Sequence, residues 1–361
     1  MERTAMWLKC QVNGWPALAL QGPPEIPDGA CTISFTGDFG FWNRHPDIAA
    51  ISDNIERERE FLAGFDLRVL NLEFNLPGQG GRPSDFECER ASLEIITRLG
   101  FDVISLANNH AASHGDIGIS RNVNLLEERN IAIIGLRDRP SFMQEIAGFR
   151  LGLFSVTHLL DDPDREGRVL RTEPHHLSLI RESLAGSDVV IGFPHLGSRS
   201  IYPTPHERKL ARQLLGIGAN LLVCTGSHFV KGMLLTDSRP VVYGLGNHWF
   251  TWSGGGTEPI GMHLVVAVTE SGQIAGLYAV PFHNDIMNGM SGPLDDKEAD
   301  AFFHEYMARS VDDPSLVWSD PRMQKGVLDR LQNLSWAQLR RLRPRHLSYG
   351  LRVLYHRLTG R

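Results

Sequence analysis

The sequence has few cysteines, no long apolar run and no excess of basic residues. Its four cysteines lie far apart among 361 residues and form no CxxC pair. We interpret Cys31 and Cys224, which lie in apolar runs, as buried free thiols of a reducing compartment, and we expect a cytoplasmic protein. No window reaches the length of about 20 apolar residues that a transmembrane helix needs. The formal net charge of −6 argues against a nucleic-acid partner, because such proteins usually carry a basic excess.

Several processing and catalytic motifs are also missing. The N-terminus, MERTAMWLKCQVNGWPALAL, has no basic segment followed by an unbroken apolar stretch, so we predict no signal peptide. The glycine-rich stretch at 253–259 lacks the lysine and the strand-to-helix setting of a phosphate-binding P-loop. Ser113 and Ser227 do not lie in a GxSxG motif, which argues against a serine hydrolase.

Apolar runs alternate with amphipathic stretches along most of the chain. Hydrophobic residues make up 42% and charged residues 22%, which suits a soluble protein with a large core. Runs that are apolar on both faces predict buried strands, and the alternation predicts an α/β fold with sheets between helices. The predicted strands are 31–38, 67–73, 102–109, 131–136, 150–156, 188–193, 220–228, 240–247 and 262–268. The predicted helices are 46–63, 88–99, 117–129, 174–186 and 204–217.

The composition divides the chain into an N-terminal segment (1–30), a main domain (31–285) and a helical C-terminal extension (286–361). Residues 295–311 predict one helix of the extension. Residues 334–361 contain seven arginines and no acidic residue. This arginine-rich segment is interpreted either as a helix docked on the main domain or as a surface for an anionic substrate, a membrane or a partner.

Polar residues of the kinds that bind metals recur where the apolar runs end. Sites in α/β sheets form outside the carboxyl ends of the strands, so these side chains are expected to meet at one edge. The residues at the ends of the runs are Asp38, Glu73, Asn109, His110, His195, His228, Asn247 and His248. Carboxylates, imidazoles and an asparagine carbonyl together suit a divalent metal.

The same residues suggest a division of roles at this edge. A histidine beside the metal that is not itself a ligand can protonate a leaving group, and His110 suits that role because it adjoins Asn109. Arg44 and Lys231 are candidates for contacting an anionic substrate, and Asn247 is a third candidate for binding it.

The order GD, NLE, NNHxxxxG, HxG, GSH, GLGN over residues 31–250 resembles the CapA family of poly-γ-glutamate capsule proteins. That family looks like a branch of the calcineurin-like metallophosphatases. The resemblance implies a four-layer sandwich, with two β-sheets flanked by helices and the site at the strand ends. It implies that the metal, Mn, Fe or Zn, is held by counterparts of known metal-site residues, namely Asp38, Glu73, Asn109, His195 and His228. It also implies that His110 is the catalytic histidine.

The sequence departs from the pattern of this family at two positions and from the general metallophosphatase pattern at a third, where CapA-like chains usually lack the histidine too. Gly226 stands where the family usually has the first histidine of HPH, and Ser113 stands where an aspartate usually precedes the glycine after NNH. Gly40 stands where metallophosphatases have a histidine, two residues after the first aspartate. If the site holds a pair of ions, each ion would keep about three protein ligands. His114 or His248 could take the place of a missing ligand.

Three hypotheses follow from the pattern and the departures. The first is a metal-assisted hydrolase that acts on a phosphoester or on a peptide-like or polyglutamate-like amide. The second is a metal-independent peptide-tailoring enzyme, such as an epimerase or an amide-forming enzyme, in which Asp38 and His110 or His248 move the protons. The third is a non-catalytic accessory subunit that binds an anionic polymer or its synthase through residues 334–361.

Overall fold

The structure, a computed structural model, describes residues 7–41, 47–76, 90–198, 200–251, 259–286 and 290–312. The described strands are β1 (Leu8–Val12), β2 (Trp15–Gln21), β3 (Cys31–Phe41), β4 (Leu67–Leu72), β5 (Val103–Ser105), β6 (Ala132–Ile134), β7 (Ser141–Ile146), β8 (Phe149–Phe154), β9 (Val189–Gly192), β10 (Leu221–Val223), β11 (Val230–Thr236), β12 (Arg239–Leu245), β13 (Asn247–Thr251), β14 (Ile260–Val268), β15 (Ile274–Asp285) and β16 (Met290–Pro293). The described helices are α1 (Ser52–Leu62), α2 (Arg90–Leu99), α3 (Gly115–Glu127), α4 (Pro174–Ser183), α5 (Pro205–Leu215) and α6 (Asp296–Arg309).

The larger sheet has ten strands in the order β1-β2-β15-β14-β3-β4-β5-β6, with β13 paired to β3 and β16 paired to β15. Strands β3, β4, β5 and β6 are parallel. Nearly all of their residues are buried, as expected for strands covered on both sides, although one face of β3 carries Thr32, Ser34, Thr36 and Asp38. The segment before residue 31 contributes β1 and β2, which join this sheet through antiparallel pairing of β2 with β15.

The smaller sheet has six strands in the order β11-β12-β10-β9-β8-β7. Strands β8, β9, β10 and β12 are parallel, while β7 and β11 pair with their neighbours in the antiparallel sense. Helix α5, which covers this sheet, begins with a capping box in which Thr204 and Glu207 satisfy each other's backbone N–H groups.

Three apolar clusters separate the layers. The central cluster lies between the sheets and includes Phe35 of β3, Val266 of β14 and Phe193 after β9. A second cluster packs α1, α2 and α3 on the larger sheet, and a third packs α4 and α5 on the smaller sheet. This arrangement confirms the predicted α/β sandwich of two β-sheets flanked by helices.

Helix α6 confirms the helix predicted at 295–311. It begins with a capping box between Asp295 and Glu298, and it buries Phe302, Phe303 and Tyr306 against the central cluster. The arginine-rich segment at 334–361 lies outside the described residues, so its two interpretations stay predictions. None of the described helices combines the length and the apolar character that a membrane span requires.

Candidate metal centre

The predicted side chains converge where parallel strands of both sheets end. Asp38 lies in β3, Glu73 follows β4, and Asn109 and His110 follow β5 of the larger sheet. His195 follows β9 and His228 follows β10 of the smaller sheet. Each sheet therefore delivers polar groups to the same edge, as the rule for parallel sheets requires.

The carboxylate of Glu73 is the least satisfied polar group of this edge. Its side chain is fully buried, and neither oxygen has a hydrogen-bond partner among the residues that the structure describes. Burial raises the pKa of Glu73 well above its ordinary value, and the nearby carboxylates of Asp38 and Asp161 raise it further. A buried carboxylate without a partner is costly, so the site favours a cation at this position.

Two imidazoles face Glu73 at distances too long for hydrogen bonds. Glu73 Oε1 lies 3.8 Å from His195 Nε2 and 3.6 Å from His228 Nε2. Ligand atoms bound at about 2.1 Å around one tetrahedral ion lie roughly 3.4 Å apart, which is close to these separations. Asp38, Glu73 and His228 offer ligand atoms that all lie within 4.8 Å of one another, so these three residues fit a shared divalent cation. His195 faces the same carboxylate but is not part of this closest group.

Asp38 is buried beside the same two imidazoles, and other groups already hold it. Its Oδ1 accepts from the Asn71 amide at 2.8 Å, and its Oδ2 accepts from the Gly226 N–H at 2.9 Å. The carboxylate lies 3.7 Å from His195 Nδ1 and 3.6 Å from His228 Nδ1. Burial raises the pKa of Asp38, and the electrostatic interaction with His228 opposes that rise.

His195 and His228 are each oriented through neighbouring polar groups. His195 Nδ1 lies 3.1 Å from the Thr225 hydroxyl, and its Nε2 lies 3.0 Å from Asn109 Oδ1. His228 Nδ1 lies 2.9 Å from Asn247 Oδ1. Burial lowers the pKa of His195 well below its ordinary value, so the ring is held neutral, as a metal ligand must be.

His110 lies at the more open side of the cluster. Its ring stacks on Phe74 with a centroid separation of 5.7 Å, and its Nδ1 lies 3.6 Å from Asp161 Oδ2. Burial lowers the pKa of His110 to about 4, although Asp161 acts in the opposite direction. Asp161 remains 54% exposed, so solvent reaches the cluster from this side.

At two of the three departing positions, Gly40 and Gly226, neighbouring rings leave no room for a side chain. A side chain at Gly40 would meet the Phe74 ring at 1.9 Å, and one at Gly226 would meet His195 Nε2 at 2.5 Å. Gly226 also has φ +87°, a conformation that favours glycine. Two rings therefore fill the space that the missing ligands would need, and the donors that remain suit one ion better than two.

Some of the predicted residues lie apart from this cluster. His248 follows Asn247 in β13, so its side chain points to the opposite face of the strand. It is fully buried against Glu58 of α1 and Phe39, and that burial removes it from the predicted acid–base pair. Arg44 lies outside the described residues. His114 immediately precedes α3 and is not grouped with the acidic and imidazole donors.

Lys231 does not face the open side either. Its ammonium group is fully buried, bonded to Glu207 Oε1 at 2.5 Å and to the Ser198 hydroxyl at 3.1 Å. Contrary to the prediction, Lys231 does not face a substrate. It neutralises the carboxylate of the α5 capping box instead. A fully buried, paired ammonium group cannot reach a substrate without leaving Glu207 uncompensated.

The structure adds residues that sequence reasoning missed. Asn71 donates to Asp38, and the Thr225 hydroxyl contacts His195. From the loop after β8, Asp161 and Asp162 contact the NNH turn. Asn71 stands two residues before Glu73 in an otherwise apolar run, which is a signal that the sequence does offer. The pair of aspartates follows no strand end directly, so strand-end reasoning does not find it.

A second group of possible metal donors, Glu173, His175 and His176, lies at the start of α4. The guanidinium group of Arg171 lies 2.9 Å from Glu173, and His176 Nδ1 already accepts the Arg171 N–H at 3.1 Å. A cation would have to displace that arginine from the carboxylate, so we do not assign a metal site there.

Comparison with known proteins identifies the family of the chain. The family model for the bacterial capsule synthesis protein PGA_cap matches residues 32–251, which is more than half of the chain. The chain therefore belongs to this family, and the resemblance drawn from the strand-end motifs is confirmed.

Two curated relatives are both named CapA. The chain is 23% identical over 208 residues to the PGA biosynthesis protein CapA of Bacillus subtilis, covering 54% of each protein. It is 23% identical over 178 residues to the capsule biosynthesis protein CapA of Bacillus anthracis, covering 44% of this chain and 42% of that protein. The chain thus matches about half the length of these relatives. A solved structure described as a novel phosphatase from Mycoplasma pneumoniae is similar with a TM-score of 0.48 and 10% identity, covering 76% of this chain and 98% of that chain.

Proposed function

We propose that the protein is a metal-assisted hydrolase with one divalent ion, Mn, Fe or Zn, at the edge shared by the two sheets. The observation that carries the proposal is the fully buried carboxylate of Glu73. Within the described part of the chain it has no hydrogen-bond partner, and it faces two imidazole nitrogens at 3.6 and 3.8 Å. Asp38, Glu73 and His228, whose ligand atoms lie within 4.8 Å of one another, would hold the ion, with His195 and Asn109 as the further donors.

When bound, the ion would polarise a substrate oxygen and lower the pKa of water in the site. The protein groups around it have separate roles. Asn71 and the Gly226 N–H hold the Asp38 carboxylate 3.7 Å from His195 Nδ1 and 3.6 Å from His228 Nδ1. His110 stands at the open side beside Asn109, where it can exchange a proton with a leaving group. Phe74 packs on one face of His110 and limits its access to water.

The substrate is expected to be a γ-linked glutamyl peptide or a related anionic amide, with a phosphoester as the alternative. Support for the first class comes from membership of the capsule synthesis family and from the names of the curated relatives. The metal chemistry described above serves both classes, because amide and phosphoester hydrolysis each need an activated water and a protonated leaving group.

The test measures metal content by elemental analysis on untagged, full-length protein purified without chelator, followed by titration with Mn²⁺ and Zn²⁺. We expect one equivalent of metal in the wild type and a loss in Glu73→Gln and His228→Ala. His304→Ala, which removes an exposed histidine of α6, is the matched control and should retain the metal. His175→Ala separates any weak binding at the start of α4 from binding at the candidate centre.

The activity assay follows on the metal-loaded protein. Hydrolysis of γ-glutamyl oligomers or of p-nitrophenyl phosphate that depends on Glu73 supports the proposal and identifies the substrate class. A folded protein that neither contains nor takes up metal refutes it. Deuterium uptake from heavy water into a bound peptide would then favour the metal-independent tailoring enzyme, and loss of partner binding on deleting 334–361 would favour the accessory subunit.

A further inference from the structure

The loop 157–165, termed here the acidic arm, is fixed against the NNH turn. The Asp161 N–H donates to the Asn109 carbonyl at 2.9 Å, and the Ser113 hydroxyl donates to Asp162 Oδ2 at 2.8 Å. At the base of the arm, the Asp164 carboxylate accepts two backbone N–H groups at 2.7 and 3.0 Å. The arm therefore holds Asp161 at a defined place beside Asn109 and His110.

The carboxylate of Asp161 determines which way the Asn109 amide faces. Asp161 Oδ2 accepts from Asn109 Nδ2 at 2.8 Å, and an ionised carboxylate can only accept hydrogen bonds. The amide nitrogen must therefore point to the arm. The amide oxygen then points to the cluster, where it lies 3.0 Å from His195 Nε2. Only this orientation offers an oxygen to a metal ion, because a neutral amide nitrogen is not a ligand.

The same carboxylate determines the tautomer of His110. Asn109 Nδ2, oriented by Asp161, lies 3.2 Å from His110 Nε2 and so donates to it. The ring proton is then on Nδ1, which faces Asp161 Oδ2 at 3.6 Å. A carboxylate behind a histidine fixes the tautomer and ring orientation in this way in many sites.

We propose that Asp161 is a positioning residue that orients both the Asn109 amide and the His110 ring. The resemblance to the family places an aspartate where Ser113 stands. Here the hydroxyl of Ser113 binds Asp162 instead, and the acidic arm brings the carboxylate from a different loop. The effect on metal binding depends on the proposed function, whereas the effect on His110 does not.

The first test compares two variants that each lose one negative charge, one inside the acidic arm and one just after it. Asp161→Asn lets the Asn109 amide turn round, because the new side chain offers a donor as well as an acceptor. Loss of such an outer partner typically weakens metal affinity 10–100-fold, and we expect a loss of roughly that size for Mn²⁺ or Zn²⁺ by calorimetry. Glu166→Gln removes the same charge from an exposed position nearby and should bind the ion as the wild type does. Equal losses in both variants would reduce the effect to general charge and overturn the proposal.

The second test uses metal-free protein. Nitrogen-15 NMR of the histidine rings, with His110 assigned from His110→Gln, should show the Nδ1–H tautomer in the wild type and in Glu166→Gln. Asp161→Ala should shift His110 toward Nε2–H while circular dichroism stays unchanged. An unchanged tautomer in Asp161→Ala refutes the positioning role. If the wild type binds no ion, the proposed function fails, and this spectrum still decides the role of Asp161.

The third test introduces a carboxylate at position 113, where the family usually has one. In a protein that carries Asp161→Ala and Asp162→Ala, the substitution Ser113→Asp should recover the wild-type tautomer of His110. Ser113→Asn is the matched control, because it has a similar shape and no charge. Equal recovery by both substitutions, or recovery by neither, would contradict a role for the carboxylate.

Discussion

Replacing Glu73 with methionine should make the metal-free protein more stable. The wild-type carboxylate is fully buried and both of its oxygens lack partners. Leaving a buried polar group unsatisfied costs about 1–3 kcal/mol, and more for a charged group. Methionine has a similar length and carries no group that needs a hydrogen bond. We therefore expect Glu73→Met to raise the free energy of unfolding by about 1–3 kcal/mol in buffer that contains a chelator.

Added metal should reverse the order of the two proteins. An ion present at 1,000 times its dissociation constant stabilises a folded protein by about 4.1 kcal/mol, which exceeds the expected difference. The wild type should gain this stability and Glu73→Met should not. The assay is urea unfolding followed by tryptophan fluorescence, with and without the ion.

Glu207→Met is the matched control, because it makes the same substitution at a carboxylate that has partners. Glu207 is bonded to Lys231 at 2.5 Å and to the Thr204 hydroxyl at 2.7 Å. Its loss leaves a buried ammonium group unpaired, so we expect destabilisation of about 3–5 kcal/mol. If Glu73→Met instead destabilises the metal-free protein by more than about 1 kcal/mol, the carboxylate has a partner in solution and the reasoning fails.

Three further predictions concern the surroundings of the site. Gly226→Ala should destabilise the protein by about 1–3 kcal/mol and weaken metal binding, because φ is +87° and the new Cβ would meet His195 at 2.5 Å; urea unfolding and metal titration check this. Lys231→Met and Glu207→Met together should cost less than the sum of the single changes by about 0.5–3 kcal/mol in a double-mutant cycle, and strict additivity would contradict the buried pair. Thr204→Ala should cost about 1 kcal/mol in the same unfolding assay, since it removes the N-cap of α5, and no change would contradict the capping box.

The parallel strands could be predicted from sequence because burial on both faces leaves a plain apolar run. Strands β4, β5 and β9 lie inside the predicted runs, and β3 begins with the run predicted at 31–38 and continues to Phe41. Strand β7 escaped prediction, because most of its residues are partly or fully exposed and it carries no apolar pattern. Strand β1 alternates buried and exposed residues over a short length next to a glycine turn, and it was also missed.

The sequence predicts those site residues that directly follow the carboxyl ends of strands. Glu73 and His228 come together because parallel strands in both sheets end at one edge. His248 was assigned to the site because it follows Asn247, but the alternation of a strand sends neighbouring side chains to opposite faces. Lys231 and Asp161 depend on contacts with α5 and with the path of a loop, and neither is encoded in a local pattern.

The donors of the candidate centre come from both sheets, and this division links metal binding to the packing of the sandwich. Glu73 belongs to the larger sheet, while His195 and His228 belong to the smaller one, and the apolar core between the sheets sets their separation. An ion bound by all three would connect the two sheets at their edge. Because unfolding would separate these donors, the free energy of metal binding adds to the stability of the packed sheets. The orphaned carboxylate of Glu73 is thus a cost to the metal-free fold, and the ion that offsets it would also join the two halves of the site.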